Sequence, residues 1–353
     1  MLPTHHKASF FLKAGLFENL TNFAELEKRI SKLPTTVEVG DAFEVFAEAY
    51  LYTQKIEQAE EVWSFKSIPS KIKGNLSLGT KQQDMGVDGV YKTSSGQFNA
   101  YQVKFRTERP SLTWREISTF MGLTDNVSQR VLFTNCNDMP SVMNDRTGFH
   151  CIRGNDLDRL DRKDFETILK WLQSGEVKVE RKTPLPHQGN AIKDILNVFE
   201  EEDRTTALMA CGTGKTLVAL WVAEQIGCQN ILVLLPSLTL VRQTLHEWLR
   251  ETEWLHLSYL CVCSDPSVAS KELDNIKINQ SDLDFAVTTD GNKLKQFISQ
   301  DTKGVKIVFS TYQSAHIVAE GMSNNYRFDL GIFDEAHKTS GREGKKFGFA
   351  LKD

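Results

Sequence analysis

Phosphate chemistry is written most plainly at Met209-Ala-Cys-Gly-Thr-Gly-Lys-Thr216. Glycines there let consecutive backbone N–H groups approach a triphosphate, and a helix starting at that point adds the positive end of its dipole. Lys215 can reach the outer phosphates, and the Thr216 hydroxyl is a magnesium ligand. Gly212, Thr213, Gly214, Lys215 and Thr216 are therefore the expected contacts of ATP and Mg²⁺. Met209 stands where the full G-x-x-x-x-G-K-[ST] pattern has its first glycine. A second acidic set lies at Asp334-Glu-Ala-His337, where Asp334 is expected to hold Mg²⁺, directly or through water, and Glu335 to orient and deprotonate the attacking water. A third set, Asp88, Gln102 and Lys104, is spread over one short stretch with Glu44 well ahead of it.

Each set needs elements to position it. The phosphate loop follows an apolar run, read as a strand, and precedes a helical pattern. Beyond it, apolar runs at Asn230–Leu235, Leu257–Cys263, Asp284–Thr289, Val305–Ser310 and Asp329–Phe333 alternate with helical stretches. Such continuous runs indicate a parallel sheet buried on both faces. Asp334 follows the last of them, at the carboxyl edge where such sheets bind ligands. In the amino-terminal half, Phe43, Phe46, Ala47 and Tyr50 recur at helical spacing over Gly40–Thr53, with Glu44 and Glu48 on another line. Asp84–Tyr91 enters a strand, Thr93–Gly96 makes a hairpin loop and Gln97–Phe105 returns. Alternation puts Gln102 and Lys104 on one face and Tyr101, Val103 and Phe105 on the other, with Asp88 brought close by the hairpin. A helix over Ser111–Leu123 and a strand over Arg130–Thr134 complete an α/β arrangement, and Phe165–Leu172 is expected as a further helix.

These residues resemble two families. Glu44 on its helix, Gly-Val-Asp-Gly at 86–89, Gln-Val-Lys at 102–104 and the following helix–strand pair are similar to the Mrr-like branch of the PD-(D/E)xK nucleases. In that branch glutamine commonly replaces the second acidic residue. The resemblance implies metal-assisted phosphodiester cleavage: Asp88 and the Gln102 carbonyl hold Mg²⁺, Glu44 completes the shell, and Lys104 positions or activates water and offsets the phosphorane charge. Asp84 is a rival for the metal position. From about Thr183 onward the chain resembles the first RecA-like domain of superfamily 2 helicases and translocases. Gln188, in Pro-His-Gln, matches the adenine-reading glutamine. Pro236–Gln243 and Ser310–Ser314 resemble motifs Ia and Ib, which makes Ser237, Thr311 and Gln313 candidate contacts to a nucleic-acid backbone. The alternative reading is ordinary helix starts after strands. Together the features are similar to the front of the single-polypeptide type I-like (type ISP) restriction-modification enzymes, and imply defence against foreign DNA, with double-stranded DNA as substrate. A DNA-binding or docking domain without catalysis, attached to a remodelling ATPase, is the alternative.

The expected fold is α/β: a restriction-endonuclease-like domain followed by a RecA-like parallel-sheet P-loop domain. Residues 1–37 are read as a helical segment, 38–173 as the nuclease domain, 174–186 as a linker and 187–353 as the RecA-like domain. At 353 residues, with 40% apolar and 25% charged residues and a net charge of −4, composition is that of an ordinary soluble protein, and a cytoplasmic location is the default expectation. No apolar run approaches the roughly 20 residues of a membrane span. Neither half is a polycation, so nucleic-acid binding falls to local patches. The best is Lys66, Lys71, Lys73 and Lys81, equally readable as a solvated loop. The six cysteines show no zinc spacing and are expected as reduced thiols in apolar surroundings; His5-His6 reads as a solvated terminal segment. No Ser/Thr-Ala-Thr motif III and no second RecA-like domain appear, and in the family that domain supplies an arginine finger, a contribution of about 10³ to 10⁵ in rate in related reactions. The chain is accordingly expected to bind ATP-Mg²⁺, turn it over slowly and not translocate unless a partner supplies that domain; methyltransferase and target-recognition parts would likewise come from another chain.

Overall fold

The computed structural model describes residues 1–79, 86–144, 146–177, 181–263, 282–302, 304–322 and 326–336. Lys81, Asp84 and His337 lie outside them. The chain forms two compact units, Met1–Val179 with Asp274–Ala286, and Glu180–Leu273 with Val287–Asp353.

In the first unit, helices α1 (Ala8–Lys13), α2 (Phe23–Ile30) and α3 (Thr36–Thr53) precede strand β1 (Ala59–Ser64) and helix α4 (Ser70–Asn75). Then follow β2 (Gly89–Thr93), β3 (Phe98–Lys104), α5 (Trp114–Leu123), β4 (Gln129–Thr134), β5 (Phe149–Ile152), α6 (Gly154–Leu157) and α7 (Arg162–Ser174). The sheet order is β1-β2-β3-β4-β5. β1, β2 and β3 pair antiparallel, while β3, β4 and β5 pair parallel, with Gln102 opposite Leu132 and Lys104 opposite Thr134. α3 begins at Thr36, four residues before the expected Gly40, because the Thr35 side chain accepts from Glu38 N–H and caps it. Its buried stripe, Phe43, Phe46 and Tyr50, packs on Tyr101, Val103, Phe105 and Phe133 in one core. Ala100, Leu132, Ile117 and Phe120 form the core on the opposite side of the sheet. The alternation read from the sequence for β3 is therefore the observed one.

The second unit contains α8 (Pro186–Phe199), α9 (Lys215–Ile226), β6 (Asn230–Leu235), α10 (Leu238–Glu251), β7 (Leu257–Val262), β8 (Val287–Thr288), α11 (Gly291–Ser299), β9 (Val305–Thr311), α12 (Ala315–Gly321) and β10 (Leu330–Phe333). Among the described residues all its strand pairs are parallel, in the order β10-β6-β9-β7-β8. Two expectations fail locally. The run ahead of the phosphate loop is not a strand: residues 204–210 have no ladder partner and Leu208 is 93% exposed. A short apolar run becomes a strand only by finding an edge, and here β10 ends the sheet with its residues half-covered rather than buried. The expected strand Asp284–Thr289 shrinks to Val287–Thr288, since 282–286 belongs to the first unit.

Among the described residues no helix is long and apolar enough to cross a membrane. The cysteines are free thiols. Five are buried, and burial pushes Cys228 up to about 11 and Cys151 and Cys263 up to about 12. Cys211, in the phosphate loop, is exposed, contrary to the apolar surroundings expected of it.

Candidate nuclease and nucleotide sites

The first site is built on the β2–β3 hairpin. Asp88 immediately precedes β2, and its backbone is clamped on both sides: its N–H donates to Tyr101 O at 3.0 Å and its carbonyl accepts from Phe65 N–H at 2.8 Å. Its carboxylate Oδ2 accepts the Val103 N–H at 2.6 Å, which fixes it against β3 between Gln102 and Lys104. Gly89 allows this close crossing, because a Cβ there would lie 2.2 Å from the Tyr101 ring and 2.3 Å from Trp63 O. Gln102 is 2% exposed and its Oε1 is a buried acceptor with no hydrogen-bond partner. Such an atom costs free energy unless something satisfies it, and a hard cation is one such partner. Lys104, half-buried, follows on the same face.

Glu44 reaches this neighbourhood from α3, with its Oε2 3.1 Å from His5 Nε2. Burial drives the Tyr101 phenol well above its usual range, and Glu48, Asp88 and Glu44, in that order, push it further. All three carboxylates are thus gathered about one buried ring. The expectation of a solvated His5 is wrong: it is 6% exposed, and its Nε2 also lies 3.9 Å from Asp41 Oδ1. Only His6, which is exposed and has its ring tilted against that of His5, meets that expectation. The signal was available in the spacing of Asp41, Glu44 and Glu48, a helix line of acids that requires donors where it is buried. Of the lysine patch, Lys66 and Lys71 are exposed, and the Lys73 ammonium sits 4.4 Å over the Phe65 ring.

The second site lies at the carboxyl ends of β6 and β10. Gly212 and Gly214 both adopt left-handed backbone, at φ of 78° and 83°, and Gly214 starts α9 with no side chain capping it. A Cβ on Gly214 would come within 2.3 Å of Gln188 Nε2. Gln188 spans two backbone groups: Oε1 accepts from Leu185 N–H at 2.9 Å and Nε2 donates to Thr213 O at 2.9 Å. It therefore holds the phosphate loop itself. Trp248 Nε1 donates to Thr216 O, and the Thr213 hydroxyl closes the loop onto Ala210 O. Lys215 Nζ lies 3.6 Å from Glu335 Oε1, so the loop lysine meets the acidic pair after β10. Asp334 is anchored through its backbone, N–H to Leu234 O and carbonyl to the Tyr312 hydroxyl. Burial, then Asp334 and Glu335, push that phenol upward. Glu335 itself sits at φ of 55°, a conformation uncommon for a side-chain-bearing residue and concentrated at functional sites.

The candidate strand-contacting residues divide. Ser237 caps α10 by accepting from Leu240 N–H, and the Thr311 hydroxyl donates to Ser314 Oγ, so both have local structural work. Gln313 is exposed.

A restriction endonuclease sheet carrying an Asp…Gln-x-Lys set, joined to a P-loop unit with a Lys–Glu pair, defines a nuclease coupled to a helicase-type domain. Residues 52–144 match the Mrr_cat_2 family model, described as restriction endonuclease, and residues 181–348 match the ResIII model, described as type III restriction enzyme, res subunit. The chain is thus an Mrr-type nuclease domain followed by a ResIII helicase-like domain, and it resembles the type ISP restriction-modification enzymes. The structure of an ATP-dependent type ISP restriction-modification enzyme, LlaBIII, bound to DNA superposes with a TM-score of 0.70 at 25% identity, covering 92% of this chain and 21% of that one. A nuclease-deletion mutant of the type ISP enzyme LlaGI with a DNA substrate mimic matches at 33% identity over 44% of this chain and 15% of that one, with a TM-score of 0.37. The chain therefore spans about a fifth of the length of the LlaBIII chain. A search of curated proteins found no match.

Proposed function

We propose that this chain is the nuclease and motor portion of an ATP-dependent restriction enzyme that cuts double-stranded DNA. The observation that carries the reading is the Asp88 carboxylate held on the Val103 amide between Gln102, whose carbonyl oxygen is buried and unpartnered, and Lys104. Carboxylate and amide oxygens are the donors Mg²⁺ selects, so Asp88 and Gln102 fit it, with Glu44 at the edge of the shell. When bound, Mg²⁺ supplies Lewis-acid stabilisation of charge developing on the phosphate oxygens. Lys104 orients the attacking water and offsets the same charge from the strand beside it.

In the second unit Gly212, Thr213, Gly214 and Lys215 cradle the phosphates of ATP, Thr216 and Asp334 are the residues to hold its Mg²⁺, and Glu335 orients water. Lys215 and Glu335 pair at 3.6 Å, and the phosphates of ATP are a stronger partner for the lysine. Gln188 keeps a second N–H and a second Oε1 lone pair for adenine while it holds Leu185 and Thr213, which links base recognition to the loop's shape. DNA as substrate is supported by the DNA complex in which the type ISP enzyme LlaBIII was solved.

Cleavage of supercoiled plasmid with Mg²⁺, with and without ATP, tests this. The parent chain nicks and Asp88→Ala does not. Equal cleavage by both removes Asp88 from the site, and no cleavage by either supports a docking domain instead.

A further inference from the structure

We infer that the segment ahead of α1 belongs to the nuclease site, with His5 acting as the positioning residue for Glu44. This rests on the nuclease reading above and extends it to residues that no part of the Asp…Gln-x-Lys pattern includes.

The segment is fastened to both elements that carry the site. On the α3 side, Glu48 is buried and accepts three hydrogen bonds from it: Thr4 N–H and the Thr4 hydroxyl reach Oε1, both at 2.6 Å, and His5 N–H reaches Oε2 at 2.9 Å. On the sheet side, the Thr4 hydroxyl accepts from Ser64 N–H at 2.8 Å and the Thr4 carbonyl accepts from Ser67 Oγ at 3.0 Å. Ser64 pairs with Gly89, and the next residue, Phe65, donates its N–H to the Asp88 carbonyl. One short segment therefore sets the spacing between the helix bearing Glu44 and the strand entry bearing Asp88.

His5 is the residue it delivers. Lys7 N–H donates to His5 Nδ1 at 3.2 Å, and that acceptor role places the ring proton on Nε2. Nε2 then donates to Glu44 Oε2 at 3.1 Å. His5, Asp41 and Glu44 have ligand atoms within 4.8 Å of one another, a spacing that a metal ion could also use. Metal at Nε2 would have to displace the proton, move it to Nδ1 and break the Lys7 bond. The hydrogen-bonded arrangement needs none of these changes, so His5 is assigned as donor. A partner that orients a ligating carboxylate typically contributes about 10- to 100-fold in metal affinity.

The test is Mn²⁺ binding to the full, nucleotide-free chain, followed by electron paramagnetic resonance, beside plasmid nicking titrated with Mg²⁺. Mn²⁺ lost in Asp88→Ala identifies the nuclease site. His5→Ala is expected to weaken that Mn²⁺ about 10- to 100-fold and raise the half-maximal Mg²⁺ by a similar factor, with the nicking rate largely regained at saturating metal. His5→Gln, which keeps an N–H donor, recovers most of the affinity. Parent-like Mn²⁺ binding by His5→Ala overturns the inference and leaves the nuclease reading standing. His5→Gln as weak as His5→Ala, or nitrogen coupling showing imidazole bound to Mn²⁺, overturns the donor role. Should Asp88→Ala lose no bound Mn²⁺, it is the nuclease reading that fails, and this inference with it.

Discussion

The starts of α7 and α9 handle the same physical problem in opposite ways. Every helix begins with backbone N–H groups that have no partner within it. At α7, Asp161 accepts from Lys163 and Asp164 N–H, and the Asp164 carboxylate returns to Asp161 N–H. At α9 the capping position is Gly214, which has no side chain to offer. A satisfied start stabilises its unit; an open one beside a lysine is prepared for an anion. The two candidate sites divide along the same line. Asp88 and Gln102 sit in a scaffold closed by their own hairpin, whereas the phosphate loop is exposed and tied down by Gln188 and Trp248 from other helices.

The sharpest way to break that comparison is to remove one lysine from each site. Lys104→Ala should lower nicking by about 10² to 10³, the usual scale for losing one group that stabilises developing charge, while ATP binding stays at the parent level. Lys215→Ala should do the reverse, costing about 1.5–3 kcal/mol of ATP affinity with ATP-independent nicking retained. Nicking rates and equilibrium binding of a fluorescent ATP analogue, measured on both variants, decide it. If either lysine moves both readouts equally, the sites are not separable.

Gly214→Ala probes the open helix start with a smaller effect. The added methyl meets Gln188 Nε2 at 2.3 Å and the backbone is held at φ of 83°. The left-handed conformation alone costs about 1–2 kcal/mol for a residue with a Cβ. The second unit should melt earlier and ATP should bind more weakly, with α7 protected from hydrogen exchange as in the parent. Unchanged ATP affinity would mean that the glycine serves folding alone.

Much of this was legible because it depends on local pattern. The period-two alternation of Tyr101, Val103 and Phe105 against Gln102 and Lys104 follows from strand geometry, and the phosphate loop and Asp334-Glu335 bring their meaning in their residue types. Other features depend on partners that sequence order does not reveal. β1 carries Glu60 and Glu61 at its start and shows little apolar alternation, yet it pairs with β2 along its length. Leu208 belongs to a run that looks like a strand but does not pair with β10, the strand at that end of the sheet. His5 appeared solvated because its partners, Asp41 and Glu44, come from a helix more than thirty residues later. Gln188 was legible as a motif, though its bonds to Leu185 and Thr213 were not.

The least of these effects, at the start of α5, measures how much a closed helix start contributes to the nuclease unit. The Glu116 carboxylate accepts from the Thr113 N–H and hydroxyl, both at 2.7 Å, and pairs with Arg106 shortly after β3. Burial pushes its pKa up, but Arg106 and Thr113 outweigh that and bring it from 4.5 to about 2. A carboxyl whose folded pKa is depressed contributes its stability above the unfolded value and loses it as pH falls through the folded one. The contribution of Glu116 should therefore be complete above about pH 4.5 and fade toward pH 2. Because the group is partly exposed and solvent-screened, Glu116→Gln should cost no more than about 1 kcal/mol at neutral pH. Hydrogen exchange at the first-turn amides of α5 isolates it, as local opening reports the helix without unfolding the second unit. Parent and variant should differ at pH 6 and converge as pH is lowered through that window. A difference that persists unchanged to pH 2 would place the effect in packing rather than in charge.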